Sequence, residues 1–316
     1  MLSFLLTTAP RRTAGMLKVP TAGRERGLLP PRTRGRMSKI VVFGPGYLGH
    51  RLAAELAGAV LLRTDITDRN AVRAAVREYG PDVVINTAAK TGIPNVDWCE
   101  THQTETYRAN VIGALNVAEA AGESGAYLLH LASGCVYYGR CPFREDGWHE
   151  EDAANPLAFY TRSKYSADLM LSRLPNVGIA RLRLPLGGEP HARNLITKLA
   201  NYTEVVDVEN SVTVVDDFIH VARELVAKRA PGVFHVTNPG VMRHRDLLDM
   251  YRELVDPSYS CTFITAEELT ARGLATKARS NTILGSPRLA EFGIQMRPIE
   301  VALRDAMTQY AAAVKR

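Results

Sequence analysis

From residue 39 onward, hydrophobic and polar positions alternate in a repeating rhythm. Short apolar runs read as buried strands: "KIVVFG" (39–44), "AVLL" (59–62), "DVVINTAA" (82–89), "YLLHLAS" (127–133) and "VGIARLRL" (177–184). Between them lie stretches with helical periodicity: "YLGHRLAAELA" (47–57), "DRNAVRAAVREYG" (68–80, closing on Gly80), roughly 102–122, and "LAFYTRSKYSADLMLSRL" (157–174). Strands alternating with helices predict a parallel sheet covered by helices on both faces. After Pro185 the pieces shorten: "NLITKLANY", "VVDVENSVTVVDDFIHVARELVAK", "GVFHVTN", "HRDLLDMYREL" and a last helix near 298–314. They predict a smaller α/β lobe over 186–316, partly interleaved with the sheet of residues 37–185.

Composition changes this picture in one place. The chain of 316 residues is 46% apolar and 23% charged, enough for a substantial core. Residues 1–36 hold eight Lys/Arg against one Glu, a net of +7, whereas the whole chain is +6; residues 37–316 are therefore close to −1. The basic balance thus belongs to the first segment, and the remainder carries no compositional sign of nucleic-acid binding. That segment, rich in Arg, Pro and Gly, is expected to be a disordered extension. It reads either as a transit peptide or as a translation start placed too early, with Met37 directly before the first strand. No run of 18 apolar residues occurs, so no membrane span is expected. Cys99, Cys135, Cys141 and Cys261 lack zinc or redox spacing, and the eight histidines form no metal motif. A reduced, cytoplasmic protein without a metal is the expectation.

The stretch "FGPGYLG" sets Gly44, Gly46 and Gly49 after a strand and at the start of a helix. Glycines there permit a tight turn and close approach of backbone to a pyrophosphate at a helix N-terminus. The fold class expected is therefore a doubly wound, Rossmann-type α/β sheet. Pro45 removes one loop N–H that would otherwise be available to phosphate. Arg63, just past the second strand, favours a 2′-phosphate, and Asp65 favours a free ribose hydroxyl. The reading leans to NADPH, with NADH as the alternative.

The reacting chemistry is expected from "FYTRSKYS", where Tyr160 and Lys164 are spaced i, i+4 on one helix face. A neighbouring ammonium is expected to lower the phenol of Tyr160 and fit it for acid–base work. Ser133 falls at a strand end in "HLASGCVYYG", and Cys135 lies two positions on, expected on the same strand face.

These residues, together with "NTAA" (86–89) and Asn110 in "YRANVIGALN", resemble the extended short-chain dehydrogenase/reductases. More closely, "TGIPNVDWCE", "ASGC", "RNLITK" and "VTNPGV" resemble the nucleotide-rhamnose synthase/epimerase-reductase group, which is similar to dTDP-4-dehydrorhamnose reductases. The resemblance implies 3,5-epimerisation and 4-reduction of a UDP- or dTDP-4-keto-6-deoxyglucose to nucleotide-L-rhamnose. It implies that Gly44, Gly46, Tyr47, Leu48, Gly49, Arg63, Asp65, Ala88, Ala89 and Lys164 hold the cofactor. It gives Cys135 and Lys198 the epimerising roles, with Ser133, Tyr160, Lys164 and Asn110 completing the catalytic set. Asn194 and Arg279 are implied for substrate, Arg279 at its diphosphate, and a homodimer is common in such enzymes.

The chain departs from the group at three points. Its glycine loop is one residue shorter, Ile93 replaces an arginine, and Gly285 replaces an acid. A reductase without epimerase activity, and a non-catalytic NADP-binding regulatory subunit, are the competing readings.

Overall fold

The computed structural model describes residues 38–93, 95–277 and 279–315. The extension expected over 1–36 lies outside the described residues. Six strands form one parallel sheet: β1 (Ile40–Phe43), β2 (Ala59–Leu62), β3 (Val83–Asn86), β4 (Tyr127–Ser133), β5 (Val177–Leu182) and β8 (Gly232–Val236). Their order is β2-β1-β3-β4-β5-β8, so the chain reverses direction across the sheet between β1 and β3. A crevice opens beyond the carboxyl ends of the strands at such a reversal. Two short pairs lie outside this sheet: β6 (Glu204–Val206) with β10 (Thr262–Ile264), and β7 (Glu209–Asn210) with β9 (Met242–Arg243).

The helices follow the predicted alternation. They are α1 (Tyr47–Glu55), α2 (Arg69–Tyr79), α3 (Trp98–Thr101), α4 (Gln103–Tyr107), α5 (Ala114–Glu123) and α6 (Phe159–Leu171). The later part adds α7 (Leu195–Ala200), α8 (Val215–Lys228), α9 (His244–Leu254), α10 (Ala266–Ala271), α11 (Pro287–Glu291) and α12 (Ile299–Val314). Local chemistry sets several ends. Asp68 caps α2 by accepting from Asn70 N–H at 2.9 Å and Ala71 N–H at 3.0 Å, and Gly80 ends it at φ 53°.

All four residues of β1 are buried, and neighbours along it face opposite layers. Val42 belongs to the buried layer that also holds Leu52, Phe218 and Phe234, and Val41 to the opposite layer with Val72, Val117 and Leu171. The first layer includes α8 and β8, so residues beyond 186 help cover and extend the sheet. A further core joins Leu186, Ile196, Leu248, Leu303 and Tyr310 in the later part of the chain.

Two local expectations need correction. The helix expected over 102–122 is broken: α4 passes into a π-helix, Arg108–Gly113, before α5. An inserted residue of this kind frequently marks a functional position, and Asn110 sits within it. The second concerns β4, which stops at Ser133; Gly134–Val136 form a 3₁₀ turn. Cys135 therefore does not share a strand face with Ser133, and its direction is set by the turn. The Ser133 hydroxyl shapes that turn by accepting the Cys135 N–H at 3.2 Å.

Candidate active site

Three strand ends of the expected site lie at the carboxyl edge of the sheet. The glycine turn follows β1, the 87–90 segment follows β3, and Ser133 closes β4. Gly44 has φ 98°, and a Cβ there would lie 2.5 Å from Ala88 N. A Cβ on Gly49 would lie 2.0 Å from Gly44 O. These two glycines let the turn close on the neighbouring strand and helix. Gly46 has open space where its side chain would be. It precedes α1, whose first N–H groups lack a side-chain cap. This open, uncapped helix start fits a dinucleotide's pyrophosphate. Leu48 is half-buried on α1, and Tyr47 is buried with its ring stacked on His191 at 4.6 Å; the Tyr47 hydroxyl makes no close hydrogen bond among the described residues.

At the end of β2 the two competing charges separate. Asp65 accepts from both the N–H and the hydroxyl of Thr67, each at 2.9 Å, and so holds the turn before α2. Arg63 is exposed and has no protein partner among the described residues. The guanidinium is thus the group left available beside the adenosine end of such a cleft.

Ser133, Cys135 and Tyr160 come together. Ser133 and Cys135 both lie close enough to Tyr160 to act on its phenol. Burial pushes the Tyr160 phenol above its ordinary range; nearby Cys135 adds to this and nearby Ser133 opposes it. Lys164 was expected to lower the phenol, and burial prevails instead. Lys164 Nζ turns to β4, donating to Leu131 C=O at 2.9 Å and lying 3.3 Å from His130 Nε2. The lysine itself is brought down to about 8 by burial, with Asp168 opposing.

Asn110 acts from the π-helix. Its Oδ1 accepts Lys90 N–H at 2.7 Å, and its Nδ2 donates to Lys90 C=O and to Ser163 Oγ, both at 3.0 Å. The amide therefore clamps the segment after β3 to α6, one residue before Lys164.

Arg183, two residues beyond Arg181 and just past β5, is buried and donates to Cys135 Sγ, Asn210 Oδ1 and Ser280 C=O. None of these partners is a carboxylate. A buried guanidinium without an acid is costly, and the sulfur is the one ionisable acceptor it meets. Arg183 was not foreseen; the basic residues in "RLRL", within and just after a buried strand, were the available signal.

The family described as RmlD substrate binding domain matches residues 38–312. The chain belongs to this family. Among curated relatives, the bifunctional dTDP-4-dehydrorhamnose 3,5-epimerase/dTDP-4-dehydrorhamnose reductase of Arabidopsis thaliana is 37% identical over 229 residues, covering 71% of this chain and 75% of that one. A trifunctional UDP-glucose 4,6-dehydratase/UDP-4-keto-6-deoxy-D-glucose 3,5-epimerase/UDP-4-keto-L-rhamnose-reductase from the same plant is 33% identical. That match covers 78% of this chain and 37% of the relative, so the chain spans less than half of that longer protein. The L780 UDP-rhamnose synthase of Acanthamoeba polyphaga mimivirus superposes with a TM-score of 0.80 at 25% identity, covering 87% of this chain and all of that one. A Bacillus anthracis dTDP-4-dehydrorhamnose reductase, solved with NADP, shares the fold at a TM-score of 0.75 and 23% identity, with 87% and 99% covered. The extended short-chain dehydrogenase/reductase assignment and the α/β sheet expected from the motifs are both borne out.

Within this member of the family, the remaining expected residues fall into two groups. Lys198 on α7 is half-buried without an ion-pair partner among the described residues, and burial, aided by Arg193, lowers its ammonium. Asn194 is fully occupied. It accepts Ile196 N–H at 3.0 Å and donates to Gly187 C=O at 2.6 Å and Glu189 C=O at 2.8 Å. Its amide therefore sets the start of α7 rather than reaching outward to a sugar. Arg279 is also engaged, in a two-pronged pair with Asp97 at 2.7 Å for each bond.

The departures from the group have local explanations. Ile93 is exposed, while Arg193 reaches Gly92 C=O at 3.4 Å beside it. A Cβ on Gly285 would lie 2.6 Å from the His149 ring, which binds Asp146 at 2.8 Å. The four cysteines are free. Cys99 is buried and packed, its sulfur directed to Lys90 C=O at 3.9 Å.

Proposed function

We propose that this chain carries out 3,5-epimerisation and NADPH-dependent 4-reduction of a nucleotide-4-keto-6-deoxyglucose, giving nucleotide-L-rhamnose. The observation that carries the reading is that Cys135 sits in the turn held by Ser133, in the neighbourhood of Tyr160, with its sulfur bound by Arg183. A reductase alone needs the serine and the phenol. A sulfur on the same site adds a base.

The 4-keto group acidifies the hydrogens on C3 and C5. Cys135, with its sulfur deprotonated, removes one of them, and Arg183 balances the charge on sulfur before transfer. The resulting enolate oxygen accepts from Ser133 Oγ and the Tyr160 phenol. Lys198, with an ammonium already disfavoured by burial, returns a proton from the opposite face. In the reduction, Tyr160 gives its proton to O4. The upward shift of its phenol suits this role, because the group stays protonated until the oxygen gains charge. Bound NADPH supplies hydride. Its pyrophosphate would lie against Gly44, Gly46, Tyr47, Leu48 and Gly49, its 2′-phosphate at Arg63, and its nicotinamide end near Ala88, Ala89 and Lys164.

A panel of UDP- and dTDP-4-keto-6-deoxyhexoses, incubated with NADPH and followed at 340 nm, tests the reading. The expected product is the L-rhamno nucleotide, identified by NMR. NADPH consumption only with the already epimerised 4-keto-rhamnose nucleotide would reduce the assignment to a reductase. Tight NADPH binding with no turnover of any member would point to a regulatory subunit.

A further inference from the structure

Tyr160 stands in the first turn of α6, the part of a helix that frays most readily. The residue before that helix is Ala158, whose methyl side chain accepts none of the N–H groups that a first turn leaves unpaired. An acceptor comes from another element instead. Glu100, on α3, accepts the Phe159 N–H at Oε1, 2.7 Å away. A carboxylate is also the charge that the positive end of a helix favours. The helix that delivers it is braced. Asp97, at the N-cap of α3, is gripped by both prongs of Arg279 and accepts the Thr276 N–H at 3.4 Å. Cys99, one residue before Glu100, is buried and lies close enough to act on the Tyr160 phenol. The carbonyl side of the same turn is held as well, since Ser163 Oγ donates to Tyr160 C=O at 2.7 Å.

We propose that Glu100 is a positioning residue for Tyr160, fixing the phenol in place by capping α6 from α3. It acts through the Phe159 N–H, one residue before the tyrosine. The phenol oxygen is at the far end of a long side chain, so a small tilt of the first turn displaces it more than the backbone. Lys164 lies a full turn further in, where N–H groups find partners within the helix. Loss of the cap therefore loosens Tyr160 more than Lys164. The phenol itself reports this. Besides burial, Cys135 beyond β4, Cys99 on α3 and Asp168 on α6 all push it up, and Ser133 opposes them. A phenol freed from that setting returns toward the ordinary tyrosine value of ~10.

The consequence for the reaction rests on the epimerase/reductase reading; the cap does not. In the reduction the phenol must meet O4 while hydride reaches C4, and a donor that wanders from that line transfers its proton less often. The cap thus bears on the chemical step more than on substrate binding.

The test labels the full chain with ¹³Cζ-tyrosine and compares Glu100→Ala with Glu100→Gln, which keeps an oxygen acceptor for the Phe159 N–H. The Tyr160 signal is identified by its loss in Tyr160→Phe. It should stay that of an un-ionised phenol up to about pH 11 in the wild-type chain and in Glu100→Gln, and ionise near pH ~10 in Glu100→Ala. With a 4-keto-rhamnose nucleotide and NADPH, kcat should fall about 10- to 100-fold in Glu100→Ala, with KM within about 3-fold of wild type. Glu100→Gln should restore it. A Tyr160 titration or a kcat unchanged in Glu100→Ala, or a Glu100→Gln chain as impaired as Glu100→Ala, overturns the proposal. Should Glu100→Ala not fold, exchange of the wild-type Phe159 amide into D₂O decides: protection of about 10-fold or more is expected, and exchange at the free-peptide rate overturns it. Failure to turn over any sugar nucleotide would overturn the functional reading and leave the Tyr160 spectra as expected.

Discussion

At the scale of single residues, roles divide by what each side chain is free to do. Ser133 and Tyr160 lie near each other at the strand edge, whereas Asn194 and Asp65 are spent on holding turns. Replacing Tyr160 by Phe keeps the ring packing and removes the acid. The expected cost is roughly 10²–10⁴-fold in the rate of 4-keto reduction, the worth of a positioned proton donor. Single-turnover NADPH oxidation measures it, and a rate equal to wild type would remove the phenol from the mechanism. Tyr160 and Lys164 were legible as a pair because their i, i+4 spacing is local, and Ser133 because it closes an apolar run. Arg183 and His130 were not. Each lies in or beside an apolar strand pattern, and only the pairing of β4 with β5 and with α6 brings them to Cys135 and Lys164.

At the scale of elements, α6 is the part that must not shift, since it carries both Tyr160 and Lys164. Its anchor is the buried pair Asp168–Arg181, and Arg181 also donates to the Tyr137 hydroxyl at 2.9 Å. Removing one member strands the other charge in the interior. Asp168→Ala is expected to lower unfolding stability by about 3–5 kcal/mol, read from chemical denaturation. A loss below about 1 kcal/mol, the usual worth of an exposed pair, would show that α6 is held by packing alone. Most elements could be read from periodicity: "AVLL" and "YLLHLAS" are β2 and β4 residue for residue. The π-helix could not. One inserted residue in a long helical run leaves the apolar pattern nearly unchanged, and the clamp made by Asn110 appears only in three dimensions. The 3₁₀ turn after β4 escaped for a similar reason, since "ASGCV" carries no turn residue stronger than one glycine.

For the whole molecule, the sheet order places the glycine turn and the 87–90 segment side by side at the reversal between β1 and β3, with Arg63 at the adjacent strand end. A ligand that binds only the folded state raises stability by about 2.7 kcal/mol at 100 times its dissociation constant. NADPH is therefore expected to raise the melting temperature more than NADH at equal concentration, and Arg63→Ala should abolish the difference. Equal shifts for both cofactors in the wild-type chain would return the choice to Asp65. The sheet and its cofactor edge were foreseeable from alternation and glycine spacing. The way α7 and the 279–281 segment reach the same edge was not, because these segments are far apart in sequence and irregular.

The central claim is that the sulfur of Cys135 moves protons on the sugar. The most direct measurement incubates the chain with a nucleotide-4-keto-6-deoxyglucose in D₂O without NADPH, and reads deuterium at C3 and C5 by NMR. The account predicts exchange in the wild-type chain and none in Cys135→Ala, which should still reduce a substrate already epimerised. Exchange at the wild-type rate in Cys135→Ala would contradict it.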